Sequence, residues 1–198
     1  SMDGDLCPLV EIVHLAKQTG AKIILDEAHS TGVYGENGSG YSSHLNLDED
    51  IYIKVHTFGK AIGVHGAVIC SSQIVKDYLI NYARSFIYTT SMTLHTTIAS
   101  SESYNFLSQN PFLQKKLFDN INYYQELVSH TANRSSIQAV IVGDTTKAKE
   151  LAKNLEKNSF SAYPVLSPTV PKGTDRIRIC LHQYNSREDI KSLVNLLP

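Results

Sequence analysis

The strongest constraint on the fold is a helix that stops at a glycine and is followed at once by a short apolar run ending in an acid. Pro8 sits where a first helical turn tolerates it. Leu9, Ile12, Val13 and Ala16 then follow at helical spacing until Gly20. Residues 22–26, Lys-Ile-Ile-Leu-Asp, read as a strand apolar enough to be covered on both faces. Strands of that kind belong to parallel sheets with helices packed on both sides. A loop punctuated by Gly32, Gly35, Gly38 and Gly40 comes next, then strands over 51–56 and 67–70 with Gly63 and Gly66 between them. Helical patterns cover 72–84, 93–109 and 111–132. The expectation for this part is an α/β layer built on a parallel sheet.

Near Asn133 the pattern changes. Residues 137–142 read as a strand, 145–158 as a helix rich in Lys and Glu, and 160–166 as another strand. A proline-containing loop over 167–173 leads to an alternating strand over 176–182. Ser186, with Asp189 three residues on, marks the start of a last helix by a variant of the capping box. This is a small α+β unit. The expected division is 1–105 and 106–198.

A chain of 198 residues can bury a real core in either arrangement. Its net charge of −1 weighs against a nucleic-acid partner, because phosphate-binding surfaces carry a basic excess. Cys7, Cys70 and Cys180 are far apart and form no CxxC pair, which suggests reduced thiols in a cytoplasmic setting, with neither a disulfide framework nor a zinc site. No apolar run approaches the ~20 residues of a membrane span, and no signal peptide is visible, so no membrane partner is expected.

Reactive residues stand at two strand ends. In open α/β sheets ligands bind beyond the carboxyl ends of the strands. Asp26 with His29 occupies one such end, and Thr57 with Lys60 the other. Asp26-Glu27-Ala28-His29 also spells the Walker B box of a helicase class. However, Gly59-Lys60-Ala61 has no Ser or Thr after the lysine and lacks the upstream glycine spacing of a Walker A loop. A carboxylate and an amine on neighbouring strand ends suit pyridoxal phosphate instead: the lysine forms the imine and the acid keeps the pyridine nitrogen protonated. His29, three residues on, would donate to the phenolic oxygen or stack near the ring, and Thr57 would give a hydroxyl to the phosphate. Each residue also has a plainer reading, as a strand-end acid, a solvated lysine or a loop-satisfying histidine. Spacing alone leaves both open.

Several segments carry a resemblance. They are Ser1-Met2-Asp3-Gly4-Asp5, Asp26-Glu27-Ala28-His29-Ser30-Thr31-Gly32, Gly35-Glu36-Asn37-Gly38-Ser39-Gly40 and Thr57-Phe58-Gly59-Lys60-Ala61. Ala83-Arg84, Tyr88-Thr89-Thr90-Ser91-Met92, the stretch from Pro168 to Thr174 and Arg176-Ile177-Arg178 continue it in order. Together they resemble the α-oxoamine synthases, fold-type I pyridoxal-phosphate enzymes that join an amino acid to an acyl thioester with loss of CO₂. The resemblance covers essentially the whole chain. It implies the C-terminal part of the fold-type I large domain over 1–105, followed by the small α+β C-terminal domain over 106–198.

The resemblance also implies roles. Lys60 matches the imine-forming lysine, which also moves the substrate α-proton. Asp26 matches the partner of the pyridine nitrogen, and His29 the residue near the phenolic oxygen. Ser1 and Thr57 match contacts on the oxygen and phosphate side. Thr89 or Thr90 lies where the family reaches the phosphate of a neighbouring subunit, which implies a homodimer. Arg178 matches the arginine that clamps the substrate carboxylate, a role suited to a planar bidentate donor. Within the family, Thr-Phe-Gly-Lys, Tyr-x-Thr-Ser and Pro-Thr-Val-Pro look most like the branch that joins L-alanine to a pimeloyl thioester, on CoA or an acyl carrier protein. Members that join glycine to an acetyl thioester are the alternative. Family members are about twice this length, so the expected assignment is the C-terminal half: a fragment, or a subunit that works with an N-terminal partner chain.

Overall fold

The computed structural model describes residues 1–128 and 133–198. The described chain divides into a first unit, Pro8–Gln114, and a second made of Ser1–Cys7 with Lys115–Pro198.

In the first unit, helix α1 (Leu9–Thr19) buries Leu9 and Val13 and stops at Gly20, whose φ of 73° and ψ of 9° form a left-handed C-terminal turn. Ile12, expected on the buried stripe, is exposed, as are Val10 and Leu15. The helix is therefore apolar on more than one face. Strand β1 (Ile24–Asp26) pairs in parallel with β2 (Ile53–Thr57), with Ile24 opposite Ile53 and Asp26 opposite Val55. Strand β3 (Ala67–Ser71) runs antiparallel to β2, with Thr57 opposite Ala67 and Ile53 opposite Ser71.

The sheet, ordered β1-β2-β3, is thus mixed where the sequence pattern suggested parallel strands throughout. The connections explain this. Parallel neighbours need a crossover, and residues 27–52, with helix α2 (Tyr41–His44), supply one between β1 and β2. Only residues 58–66 join β2 to β3, and Gly63 and Gly66 at positive φ turn that short segment back beside its own strand. The expected two-sided cover is also absent within this unit: Ile24, Val68 and Ile69 are 67%, 39% and 50% exposed.

The helical pattern over 72–84 resolves into two pieces. Helix α3 (Gln73–Tyr82) starts at Ser72, whose hydroxyl accepts from the Val75 N–H, and extended Ala83 separates it from α4 (Arg84–Ile87). Helix α5 (Leu94–Gln109) is capped by Thr93, whose hydroxyl accepts from the Thr96 N–H at 3.2 Å.

Helix α6 (Phe112–Leu127) leads into the second unit; the rest of its expected extent, 129–132, lies outside the described residues. Strand β4 (Ile137–Ile141), helix α7 (Thr145–Lys157), β5 (Tyr163–Val165), β6 (Arg176–Cys180) and helix α8 (Arg187–Val194) follow. β6 lies between β4 and β5, antiparallel to both. Ile177 and Ile179 of β6, Ile121 and Tyr124 of α6, Leu155 of α7, and Ile190 and Leu193 of α8 bury together as one core. Asp144 caps α7 by accepting from the Lys147 N–H at 2.9 Å. At α8 the expected capping box is complete: Ser186 Oγ accepts from the Asp189 N–H, and Asp189 Oδ2 accepts from the Ser186 N–H, each at 3.0 Å.

Candidate active site

Asp26 is the last residue of β1 and Thr57 the last of β2, so both stand at the carboxyl ends of the parallel pair. The Asp26 carboxylate is exposed, and its Oδ1 accepts from the Ala28 N–H at 2.8 Å, which fixes its orientation. One residue on, the Glu27 N–H donates to Val55 O at 2.8 Å and extends the ladder past Asp26. His29 is half-buried in the turn that follows, and Lys60 is exposed in the turn after β2.

The two loops meet. A Cβ at Gly32 would stand 2.7 Å from the Ala61 Cβ, so only glycine lets the loop after β1 lie against the residue that follows Lys60. Gly32 also has φ of 79°, where any other residue is strained. On the far side of the second loop, Phe58 is buried, takes its N–H to Gly66 O at 2.9 Å, and meets the Tyr104 ring edge-on at 6.1 Å. Open space lies beside Gly59 and Gly63.

Beneath Asp26, Glu27 is 1% exposed and organises the loop after β1. Its carboxylate accepts from the Tyr41 N–H at 2.8 Å, the Ser42 N–H at 2.9 Å, the Ser42 hydroxyl at 2.7 Å, and the Ser30 hydroxyl. A Cβ at Gly40 would come within 2.9 Å of that carboxylate, so the glycine admits it. Burial pushes the Glu27 carboxyl up, but the hydrogen bonds from Ser30, Ser42 and Tyr41 outweigh it and hold the group below its ordinary range. Nearby, Asp48 accepts from Lys54 Nζ at 2.6 Å and from the Ser43 hydroxyl at 2.7 Å.

Two side chains stand out on β2. The hydroxyl oxygen of Thr57 is buried and has no hydrogen-bond partner. A buried hydroxyl without a partner costs about 1–3 kcal/mol, a cost that a bound acceptor would remove. His56 is buried and its Nδ1 lies 2.8 Å from the Thr31 hydroxyl.

Asp26 and Thr57 therefore end two paired strands, and His29 and Lys60 lie on the loops that follow, which meet at Gly32 and Ala61. Thr89 and Thr90 lie on neither, in the exposed stretch after α4, where the Thr89 hydroxyl donates to Ser85 O. Met92 packs its sulfur against Gly66, which anchors this stretch beside the β2–β3 turn. The other two sequence candidates meet each other in the second unit: Arg178 Nε donates to Ser1 O at 2.9 Å and its Nη1 to Cys180 Sγ at 2.8 Å. Arg176, two residues earlier and buried, pairs with Asp3 and donates from Nε to Thr174 O at 2.9 Å. The sequence reading gave no role to His56 or to the Glu27 hub. Apart from Ser30, three residues from Glu27, the partners named here are 14 to 25 residues away, and no local pattern announces them.

A carboxylate, an imidazole, a hydroxyl and an amine thus stand at or just beyond the carboxyl ends of β1 and β2. Among the described residues no helix is long and apolar enough to cross a membrane. The chain is 38% identical over 96% of its length to the 8-amino-7-oxononanoate synthase of Petrotoga mobilis, of which it covers 50%. It superposes on the structure of an 8-amino-7-oxononanoate synthase from Francisella tularensis with a TM-score of 0.87 at 29% identity, over 98% of this chain and 58% of that one. A serine palmitoyltransferase variant from S. paucimobilis, solved with a bound pyridoxal-phosphate–myriocin aldimine, gives a TM-score of 0.91 at 26% identity, over 99% of this chain and 51% of the other. The chain spans about half the length of the curated relatives it matches. The sequence profile of class I and II aminotransferases matches residues 1–197, and the chain belongs to that family.

Proposed function

We propose that this polypeptide carries the lysine-bearing part of a pyridoxal-phosphate site and serves 8-amino-7-oxononanoate synthesis, the decarboxylating condensation of L-alanine with a pimeloyl thioester in biotin formation. The substrate assignment draws its support from the likeness to synthases of that name. The observation that carries the cofactor reading is the buried, unpartnered Thr57 hydroxyl, set at the same strand ends as the Asp26 carboxylate and beside the loop of Lys60.

The residues fit such a group. Thr57 Oγ1 would donate to its phosphate, Asp26 would hold a proton on its ring nitrogen, and His29 would face its phenolic oxygen. When bound, pyridoxal phosphate supplies an electron sink for the carbanion at the substrate α-carbon. Lys60 Nζ would hold the group through its carbonyl and would serve as the base that moves the substrate α-proton. Arg178 binds the substrate carboxylate, exchanging its present acceptors, Ser1 O and Cys180 Sγ, for carboxylate oxygens. Ser1 adds a cofactor contact, and Thr89 or Thr90 reaches the phosphate of a second copy in a homodimer.

The first test is covalent trapping. The chain is mixed with pyridoxal phosphate, reduced with borohydride, and its peptides weighed. A stoichiometric adduct confined to Lys60 is expected; scattered adducts, or none in a folded sample, would remove the cofactor reading from this chain. Substrate choice is tested in a protein of its relatives' length. Turnover with pimeloyl-CoA and alanine should exceed that with acetyl-CoA and glycine or palmitoyl-CoA and serine. Faster turnover with either of those pairs would reassign the substrates.

A further inference from the structure

We infer that His56 is a positioning residue: as its Nδ1–H tautomer it donates to Thr31, and this link holds the loop bearing Asp26 and His29 in register with the loop bearing Thr57 and Lys60. The inference deepens the proposed function and rests on it only for what the two loops bind.

The tautomer follows from proton counting. The Thr31 hydroxyl oxygen lies 2.7 Å from Glu27 O, and a carbonyl oxygen brings no proton to that contact. The single hydroxyl proton of Thr31 must therefore lie on the Glu27 side. The 2.8 Å contact between the same hydroxyl oxygen and His56 Nδ1 then needs a proton from the imidazole. The result is a directed chain from His56 Nδ1–H to the Thr31 hydroxyl to Glu27 O. The Glu27 N–H closes the circuit by donating to Val55 O, the residue before His56.

The chain ties the two elements that matter. Glu27 follows Asp26, Thr31 lies two residues past His29, and His56 precedes Thr57 by one. All three members are buried, at 1%, 2% and 7% exposure, so water does not compete for the bonds. Gly32, beside Thr31, is the residue that lies against Ala61, beside Lys60. The hydrogen-bond chain and the glycine contact thus fix the same two loops from both ends. Burial holds His56 below its ordinary range despite the neighbouring Glu27 and Asp48 carboxylates, and Lys54 acts in the same direction as burial. Protonation at Nε2 would leave the Nδ1–H bond in place, so the link depends on a donor at that position rather than on charge.

The test compares donors of different shape. Asn can place an amide N–H where Nδ1–H stands, whereas Leu fills the space without a donor. Nitrogen NMR of the wild-type chain should find the proton on Nδ1. In His56→Leu the amides of Glu27, Thr31, Phe58 and Val64 should exchange about tenfold faster, the change that loss of one buried hydrogen bond produces, while amides of α5 keep their rates. His56→Asn should restore protection. Thr31→Val should match His56→Leu, and the double variant should add nothing. This pair also serves if His56→Leu does not fold. The rate of Lys60 modification by pyridoxal phosphate should fall in the Leu variant and recover in the Asn variant.

An unprotonated Nδ1, equal behaviour of the Leu and Asn variants, or additive effects of the Thr31 and His56 substitutions would overturn the inference. If the wild-type chain shows the exchange pattern but no adduct at Lys60, the inference stands and the cofactor reading fails.

Discussion

The two units spend their buried surface differently. The second encloses a core: Ile121, Leu155, Ile177 and Ile190 are each 1% exposed or less, between three antiparallel strands and the helices α6, α7 and α8. In the first unit the most deeply buried groups include polar ones in the connection after β1, Glu27, Thr31 and Ser42, while Ile24, Ile74, Tyr88 and Leu94 stand 67%, 82%, 79% and 75% exposed. One unit is ordered by apolar packing, which is non-directional and tolerant. The other is ordered around hydrogen bonds that fix direction, among them the Ala28 N–H that orients the Asp26 carboxylate.

This contrast can be broken most sharply at Ile177. Ile177→Ala empties a fully buried site in the central strand and should cost the second unit about 3–4 kcal/mol in denaturant unfolding. Equal loss of the spectroscopic signals of both units would show that they melt as one.

Glu27 is the matching target in the first unit. Glu27→Ala would strand the Tyr41 and Ser42 N–H groups in a dry site, at about 3 kcal/mol. The pH dependence has a definite sign. Its folded pKa lies below the ordinary 4.5, so its contribution is full above that value and is lost as pH falls through the lowered one. Glu27→Gln should accordingly flatten the acid limb of the stability curve, and an unchanged limb would assign that limb to other carboxylates.

Thr57 should respond with opposite signs in two assays. Thr57→Val exchanges an unpartnered buried hydroxyl for a methyl and should stabilise the chain by about 1 kcal/mol. The same change should weaken pyridoxal-phosphate binding measured by titration. Loss of stability would mean that the hydroxyl already has a structural partner.

Smaller effects complete the comparison. Ser186→Ala removes the cap of α8 and should cost about 1 kcal/mol. Ile74→Lys, on the exposed face of α3, should shift stability by no more than about 0.5 kcal/mol. A larger loss at Ile74 would show that the exposed apolar surface of the first unit is covered in solution.

The sequence made the ends of elements legible. The apolar run stops at Asp26, Gly20 closes α1, and Ser186 with Asp189 opens α8, and the structure has each of these features, whereas the second strand, read to residue 56, runs one residue further to Thr57. The internal direction of the sheet was not legible. The residues of β3 suit either orientation, and a nine-residue return between β2 and β3 decided it.

What the sequence determined by itself was the local part: periodicity, caps, turn glycines and the reactive groups that follow each strand. These depend on residues within a few positions of one another, where backbone sterics and side-chain-to-backbone hydrogen bonds act without help from the fold. Only the tertiary structure decided that Glu27 gathers Tyr41 and Ser42, that His56 reaches Thr31, that Thr57 is left without a partner, and that Arg178 meets Ser1. Those outcomes depend on which distant groups lose water together, and desolvation is a property of the packed chain rather than of any stretch of sequence.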